Sequence, residues 1–194
     1  MAQLFHSSEK LSATVTELGT GKSVKGAVVV VYWQLKKGKL HGHDYEVLHK
    51  VETTTDDHGG FYIEAWGPKY VGLSWSMGGD SPYVYILKSG YKFEIIANYT
   101  NAFGGFLCAG SKRAEVSRVT HVRSRIVASW NGCPIPLTQP TERPDIYAMR
   151  LSSIRSDLCD NGVTTKCSEP IQRYFNEERR RLLELGAKHY YLQW

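Results

Sequence analysis

Five consecutive apolar residues, Val28-Val-Val-Val-Tyr32, follow directly on a turn-rich segment, Gly19-Thr-Gly-Lys-Ser-Val-Lys-Gly26. Successive side chains of a strand point to opposite faces, so a strand with water on one side alternates apolar with polar. This run has no polar alternate. It therefore belongs at the centre of a sandwich or beneath a covering element, with both faces out of water. Thr54-Thr-Asp-Asp-His-Gly-Gly-Phe-Tyr-Ile63 answers it. One strand ends at Thr55, the chain turns through Asp56 to Gly60, and another begins at Phe61, because Asp and Gly tolerate positive φ.

Similar punctuation runs through the chain as far as Pro140. Strand patterns occupy Leu11 to Leu18, Ala27 to Leu35, Tyr45 to Thr55, Phe61 to Ala65, Tyr83 to Leu87, Phe93 to Ala97 and Arg123 to Trp130. Turn signals separate them at Gly19 to Gly21, Lys36 to Gly42, Asp56 to Gly60, Ser89-Gly90 and Asn131-Gly132. Short strands spaced this way predict a mainly β protein, an antiparallel sandwich over about residues 10–135. The 194 residues suffice for one core, and 42% apolar content excludes general disorder. No run reaches the roughly 18 apolar residues of a membrane-spanning helix.

Beyond Pro140 the period lengthens. Tyr147, Leu151, Ile154 and Leu158 lie four, three and four residues apart, a stripe on a helix beginning near Pro144. Asn161-Gly162 stops it. Ser168 caps a second helix that ends before Gly186, with Ile171, Tyr174, Phe175, Leu182 and Leu185 as its apolar face and Glu177 to Arg181 as a surface pair. Neither is stable alone, so residues 141–187 are expected to form a helical hairpin packed on the sandwich rather than a separate domain.

Three segments together resemble a known family: Thr16-Glu-Leu-Gly-Thr-Gly-Lys-Ser-Val-Lys-Gly-Ala27, Thr54-Thr-Asp-Asp-His-Gly-Gly-Phe61 and Lys88-Ser-Gly-Tyr91. They look like the signatures of the carboxypeptidase regulatory-like domain, in the family's order, across about Leu11 to Asn98. Ala65-Trp-Gly-Pro68 is reminiscent of small bacterial cell-envelope proteins that carry this domain. The resemblance implies a transthyretin-like, seven-stranded Greek-key sandwich used as a non-catalytic accessory module. Residues 99–194, with all four cysteines, lie outside it.

Chemistry finds few footholds. His41-Gly-His43, read as alternate residues on a strand with Asp44 or His49 nearby, is the one weak candidate for a divalent metal. The transthyretin-like dioxygenases bind iron through tyrosines that have no counterpart at suitable spacing here. The hydroxyisourate hydrolases end Tyr-Arg-Gly-Ser, whereas this chain ends Tyr190-Tyr-Leu-Gln-Trp194. No Gly-x-Ser-x-Gly elbow occurs. Asp56-Asp57-His58 is read as turn chemistry, not acid–base machinery. No cofactor is expected.

Binding is better supported. Trp66, Tyr70, Trp75, Tyr83, Tyr85 and Tyr91 crowd one stretch, and Gly67 to Asp80 is too rich in glycine for a core. Tyr70 and Trp75 on such a loop would offer flat rings to a protein or a glycan. Arg179, Arg180 and Arg181 add a basic patch on the second helix. The net charge of +5 is scattered and no stacking platform accompanies it, which argues against nucleic acid. Cys159 with Cys167, and Cys108 with Cys133, are the expected disulfides. Asn98-Tyr-Thr100 is a glycosylation sequon.

The sequence thus predicts a non-enzymatic binding protein of the cell envelope, periplasmic or secreted, whose partner is another protein. The alternatives are a carbohydrate-binding module and a metal-dependent enzyme centred on His41 and His43. The first residues contain no apolar signal core. They fit either an export signal already removed or a cytoplasmic start.

Overall fold

The strand that carries Val28 to Tyr32 sits between two hydrophobic cores. In the computed structural model, which describes residues 4–78, 81–98, 124–126, 131–160 and 167–194, its side chains divide by parity. Val29, Val31 and Trp33 enter one buried cluster with Leu11, Val15, Phe61 and Ile135. Val28, Val30 and Tyr32 enter another with Tyr147, Leu151, Ile171 and Phe175. The missing polar alternation of the sequence is this double burial.

The described strands are β1 (Phe5–Ser8), β2 (Leu11–Glu17), β3 (Val28–Lys39), β4 (Gly42–Thr54), β5 (Gly60–Ile63), β6 (Trp66–Tyr70), β7 (Ser76–Met77), β8 (Tyr83–Leu87), β9 (Glu94–Ile96), β10 (Ser124–Ile126) and β11 (Pro134–Leu137). Helices α1 (Pro144–Arg155) and α2 (Glu169–Glu184) follow, with a π turn at Ser156–Asp160 and a 3-10 turn at His189–Leu192. One sheet runs β4-β3-β8-β9, with β7 also on β3. Two three-stranded ladders, β11-β2-β5 and β10-β1-β6, share one order. Only Glu9 and Lys10 separate β1 from β2, and only Glu64 and Ala65 separate β5 from β6. We read the two ladders as halves of a single bent layer facing the larger sheet.

The molecule is mainly β with C-terminal helices, as the periodicities indicate. It differs from an all-antiparallel sandwich in two places, because β10 runs parallel to β1 and β11 runs parallel to β2. The turn after β4 follows its sequence. Asp56 Oδ1 accepts hydrogen bonds from the His58 and Gly60 amides, each at 2.8 Å. Gly59 takes φ +72°, and a Cβ there would collide with the Val15 carbonyl.

The helices form a third layer on the outer face of β3 and β8. All four stripe residues, Tyr147, Leu151, Ile154 and Leu158, are buried. On α2, Ile171, Tyr174, Phe175 and Leu182 are buried, but Leu185 is exposed because α2 ends at Glu184. Ser168 precedes α2 in extended conformation, yet its hydroxyl makes no capping bond. Cys159 is bonded to Cys167 across a Cα separation of 4.7 Å, joining the π turn to the approach of α2. Cys133 is also disulfide-bonded. Its expected partner, Cys108, lies outside the described residues.

Two outcomes are expected. Deleting residues 141–194 uncovers Val28, Val30, Tyr32, Tyr85 and Leu87, so the truncated chain should aggregate or oligomerise in light scattering. Cys159→Ser with Cys167→Ser should lower urea stability by roughly 2–3 kcal/mol, the loop-closure entropy of a short loop.

Candidate functional site

The β3–β4 hairpin is longer than its sequence suggests. Lys36 to Gly42 reads as a loop, but pairing continues to Lys39 opposite Gly42, leaving Leu40 and His41 as the turn. β8 pairs β3 only from Val28 to Tyr32, and β7 only at Leu35 and Lys36. Residues 37–44 therefore form a two-stranded arm, tied by an ion pair between Lys39 and Asp44 at 2.6 Å. At its apex Leu40 is 93% exposed.

This placement corrects the metal candidate. His41 lies in the turn while His43 lies on β4, so the two are not alternate residues of one strand. The His43 ring faces Tyr45, with centroids 6.2 Å apart. Among the described residues no group of three or more His, Cys, Asp or Glu side chains gathers as a metal site.

Of the binding residues, Tyr70 ends β6 with 62% exposure and lies 5.4 Å from the Phe5 ring across the β1–β6 ladder. Trp75 is half-buried, with the Lys37 ammonium 5.8 Å from its ring centroid. The segment from Tyr70 to Met77 meets the arm there, and again where Ser76 pairs with Lys36. Leu73 is exposed in this segment, and Tyr45 is exposed opposite Lys36, on the other face of the hairpin from Lys37.

The three arginines do not act together. Arg181 is bound to Glu178, its Nε donating to both carboxylate oxygens at 3.0 and 3.1 Å. Arg179 lies 3.4 Å from His189 Nε2. Arg180 alone faces out, beside a shallow depression of about 330 Å3 that Glu169, Arg173 and Glu177 also line. The expected Glu177–Arg181 pair is replaced by Glu178–Arg181 because Glu178 lies on the stripe of Ile171 and Tyr174. Glu178 is fully buried. It also accepts from Ser89 Oγ at 2.8 Å and from the Gly90 amide at 3.1 Å. The carboxylate thereby fastens α2 to the β8–β9 turn. Tyr147 completes the junction, donating to the Tyr91 carbonyl at 2.9 Å and accepting from the Phe93 amide at 3.1 Å. Burial first, and the Glu178 charge next, push the Tyr147 phenol up to about 12.

Two further features escaped the sequence. Asn98 of the sequon is buried and its amide donates to the Ser81 carbonyl at 2.9 Å, which removes the nitrogen from reach of a modifying enzyme. The outer edge of β4 is blunted against strand addition. A register shift opposite Trp33 and Gln34 leaves Leu48 bulged, Lys69 Nζ donates to its carbonyl at 3.4 Å, and Asp44, Glu46, Lys50 and Glu52 supply charge along the strand.

No protein-family model and no curated protein matches this chain. Among solved structures, the backbone protein of pilus 2b from group B streptococcus is similar at a TM-score of 0.30 and 14% identity, over 71% of this chain. The match spans 43% of the pilus protein's length. At that TM-score the likeness assigns neither fold family nor function.

Glu178→Ala strands the Arg181 charge and two donors, so urea unfolding should register a loss of about 3–5 kcal/mol. Arg180→Ala, on the solvent side of the same helix, should stay within about 0.5 kcal/mol of wild type.

Proposed function

We propose that this is a non-enzymatic accessory protein of the cell envelope that works by binding another protein. The observation that carries the reading is the exposed apolar surface of the β3–β4 hairpin and of the segment from Tyr70 to Met77 that meets it. Leu40, Tyr45, Tyr70 and Leu73 are large apolar side chains left in water on these two elements. Exposed apolar side chains are the material of a contact surface, and tyrosine and tryptophan bury much area at low entropic cost. The Lys37 and Trp75 contact, with Lys36 and Lys39 alongside, gives the patch a basic rim suited to an acidic border on the partner. The disulfides and the transthyretin-like resemblance favour an extracytoplasmic setting. The helical face is occupied internally and the β4 edge is blunted, which leaves the patch as the best-suited surface.

A second reading, glycan binding, is favoured by one groove. Ser12, Thr14, Thr53, Thr54, Asp56 and Tyr62 line an open cleft of about 500 Å3 on the sandwich. Hydroxyls beside an exposed tyrosine suit a neutral sugar.

Photo-crosslinkers at Tyr70 and Arg180 separate these readings. Protein binding requires one discrete protein adduct from position 70 in envelope extracts and none from position 180. Equal adducts from both positions contradict it. Oligosaccharide titration that perturbs Tyr62, without any protein adduct, transfers the function to the groove.

A further inference from the structure

One buried-edge contact has no role in the binding reading. Lys69 Nζ lies 3.0 Å from His49 Nδ1 and 3.4 Å from the Leu48 carbonyl. The ammonium stands 5.5 Å from the Trp66 ring centroid. The imidazole lies 4.9 Å from Trp66 and 5.5 Å from Trp33, so both tryptophans hold it in place. This contact fastens β6 to β4, where backbone pairing does not join the two strands.

An ammonium donates to Nδ1 only when that nitrogen carries no proton. Protonating His49 turns the acceptor into a second cation at contact distance. From β6 the imidazole faces Lys69 and the neutral Trp66, and from β3 it faces the neutral Trp33. On its own strand Lys50 is paired with Glu52. Burial first, and the Lys69 charge second, hold the His49 pKa below its ordinary value. Across the β1–β6 ladder His6 sits opposite Lys69, and burial lowers its pKa as well.

We propose that the Lys69–His49 contact is an acid-released clasp, closed while His49 is neutral, which frees β6 and the Leu48 carbonyl when His49 takes up a proton. The Lys69 charge helps depress the His49 pKa in the closed form, and opening removes that charge. The open form therefore holds a proton more readily than the closed form. Each unit of acidification between the two pKa values shifts the balance toward opening by up to about tenfold. Tyr70 ends the strand that the clasp holds, so release would also move the proposed contact patch. That consequence rests on the binding reading; the clasp does not.

Hydrogen exchange of the full chain tests it, following amides of residues 64–71 at about pH 7.5 and about pH 5, with rates corrected for intrinsic exchange. Wild-type protection should fall on acidification. His49→Phe, which keeps a ring between the tryptophans, should hold its protection at both pH values. His6→Phe should respond as wild type does. Lys69→Met, which keeps the stem over Trp66, should start less protected and respond less, and it decides the matter if His49→Phe does not fold. Unchanged wild-type protection overturns the clasp. So does a full acid response in His49→Phe or Lys69→Met, or loss of the response in His6→Phe.

Discussion

Everything in this fold depends on keeping both faces of one strand dry. β3 contributes Val29, Val31 and Trp33 to the sandwich core and Val28, Val30 and Tyr32 to the core beneath the helices. Each such side chain is worth about 1.5–3 kcal/mol when fully buried, so neither face tolerates water. The same division extends to β8, where Val84 and Ile86 face inward while Tyr85 and Leu87 face the helices. The helices are thus a structural layer. Glu178 fixes their position through the Ser89–Gly90 turn, and the Tyr147 phenol adds bonds to the Tyr91 carbonyl and the Phe93 amide.

That arrangement bears on the proposed binding reading. The outer face of the larger sheet is covered, its inner face is core, and the β4 edge carries a bulge and charges. The arm beyond Lys36 and the neighbouring Tyr70 to Met77 segment stay outside these covered surfaces. The sheet outruns its covering layers there: β3 and β4 continue together for residues that no other described strand supports, and the apex presents Leu40 rather than a polar turn residue.

Some of this was legible in the residues. Val28 to Tyr32 declared double burial, Asp56 to Gly60 declared a turn, and the spacing of Tyr147, Leu151, Ile154 and Leu158 declared a buried stripe. Each is a local pattern that one physical rule fixes. β1 and β6 were not legible, because Phe5-His-Ser-Ser8 and Trp66-Gly-Pro-Lys-Tyr70 are short and weak in β-branched residues, and their pairing is set by distant neighbours. The arm was mistaken for a loop since Lys36-Lys-Gly-Lys39 lacks strand propensity. Glu178 had a signal that went unread, as a charge in line with Ile171 and Tyr174 must be buried and partnered. The contacts of Lys69 with His49 and of Ser89 and Gly90 with Glu178 join sequence-distant segments, which local pattern does not reveal.

Native-state hydrogen exchange on β3 and α2 measures the central constraint most directly. If β3 is one strand serving two cores, its amides and those of the buried α2 face should open with the same free energy, as one cooperative unit. Opening of α2 at several kcal/mol below β3 would contradict this and make the helices an accessory laid on a self-sufficient sandwich.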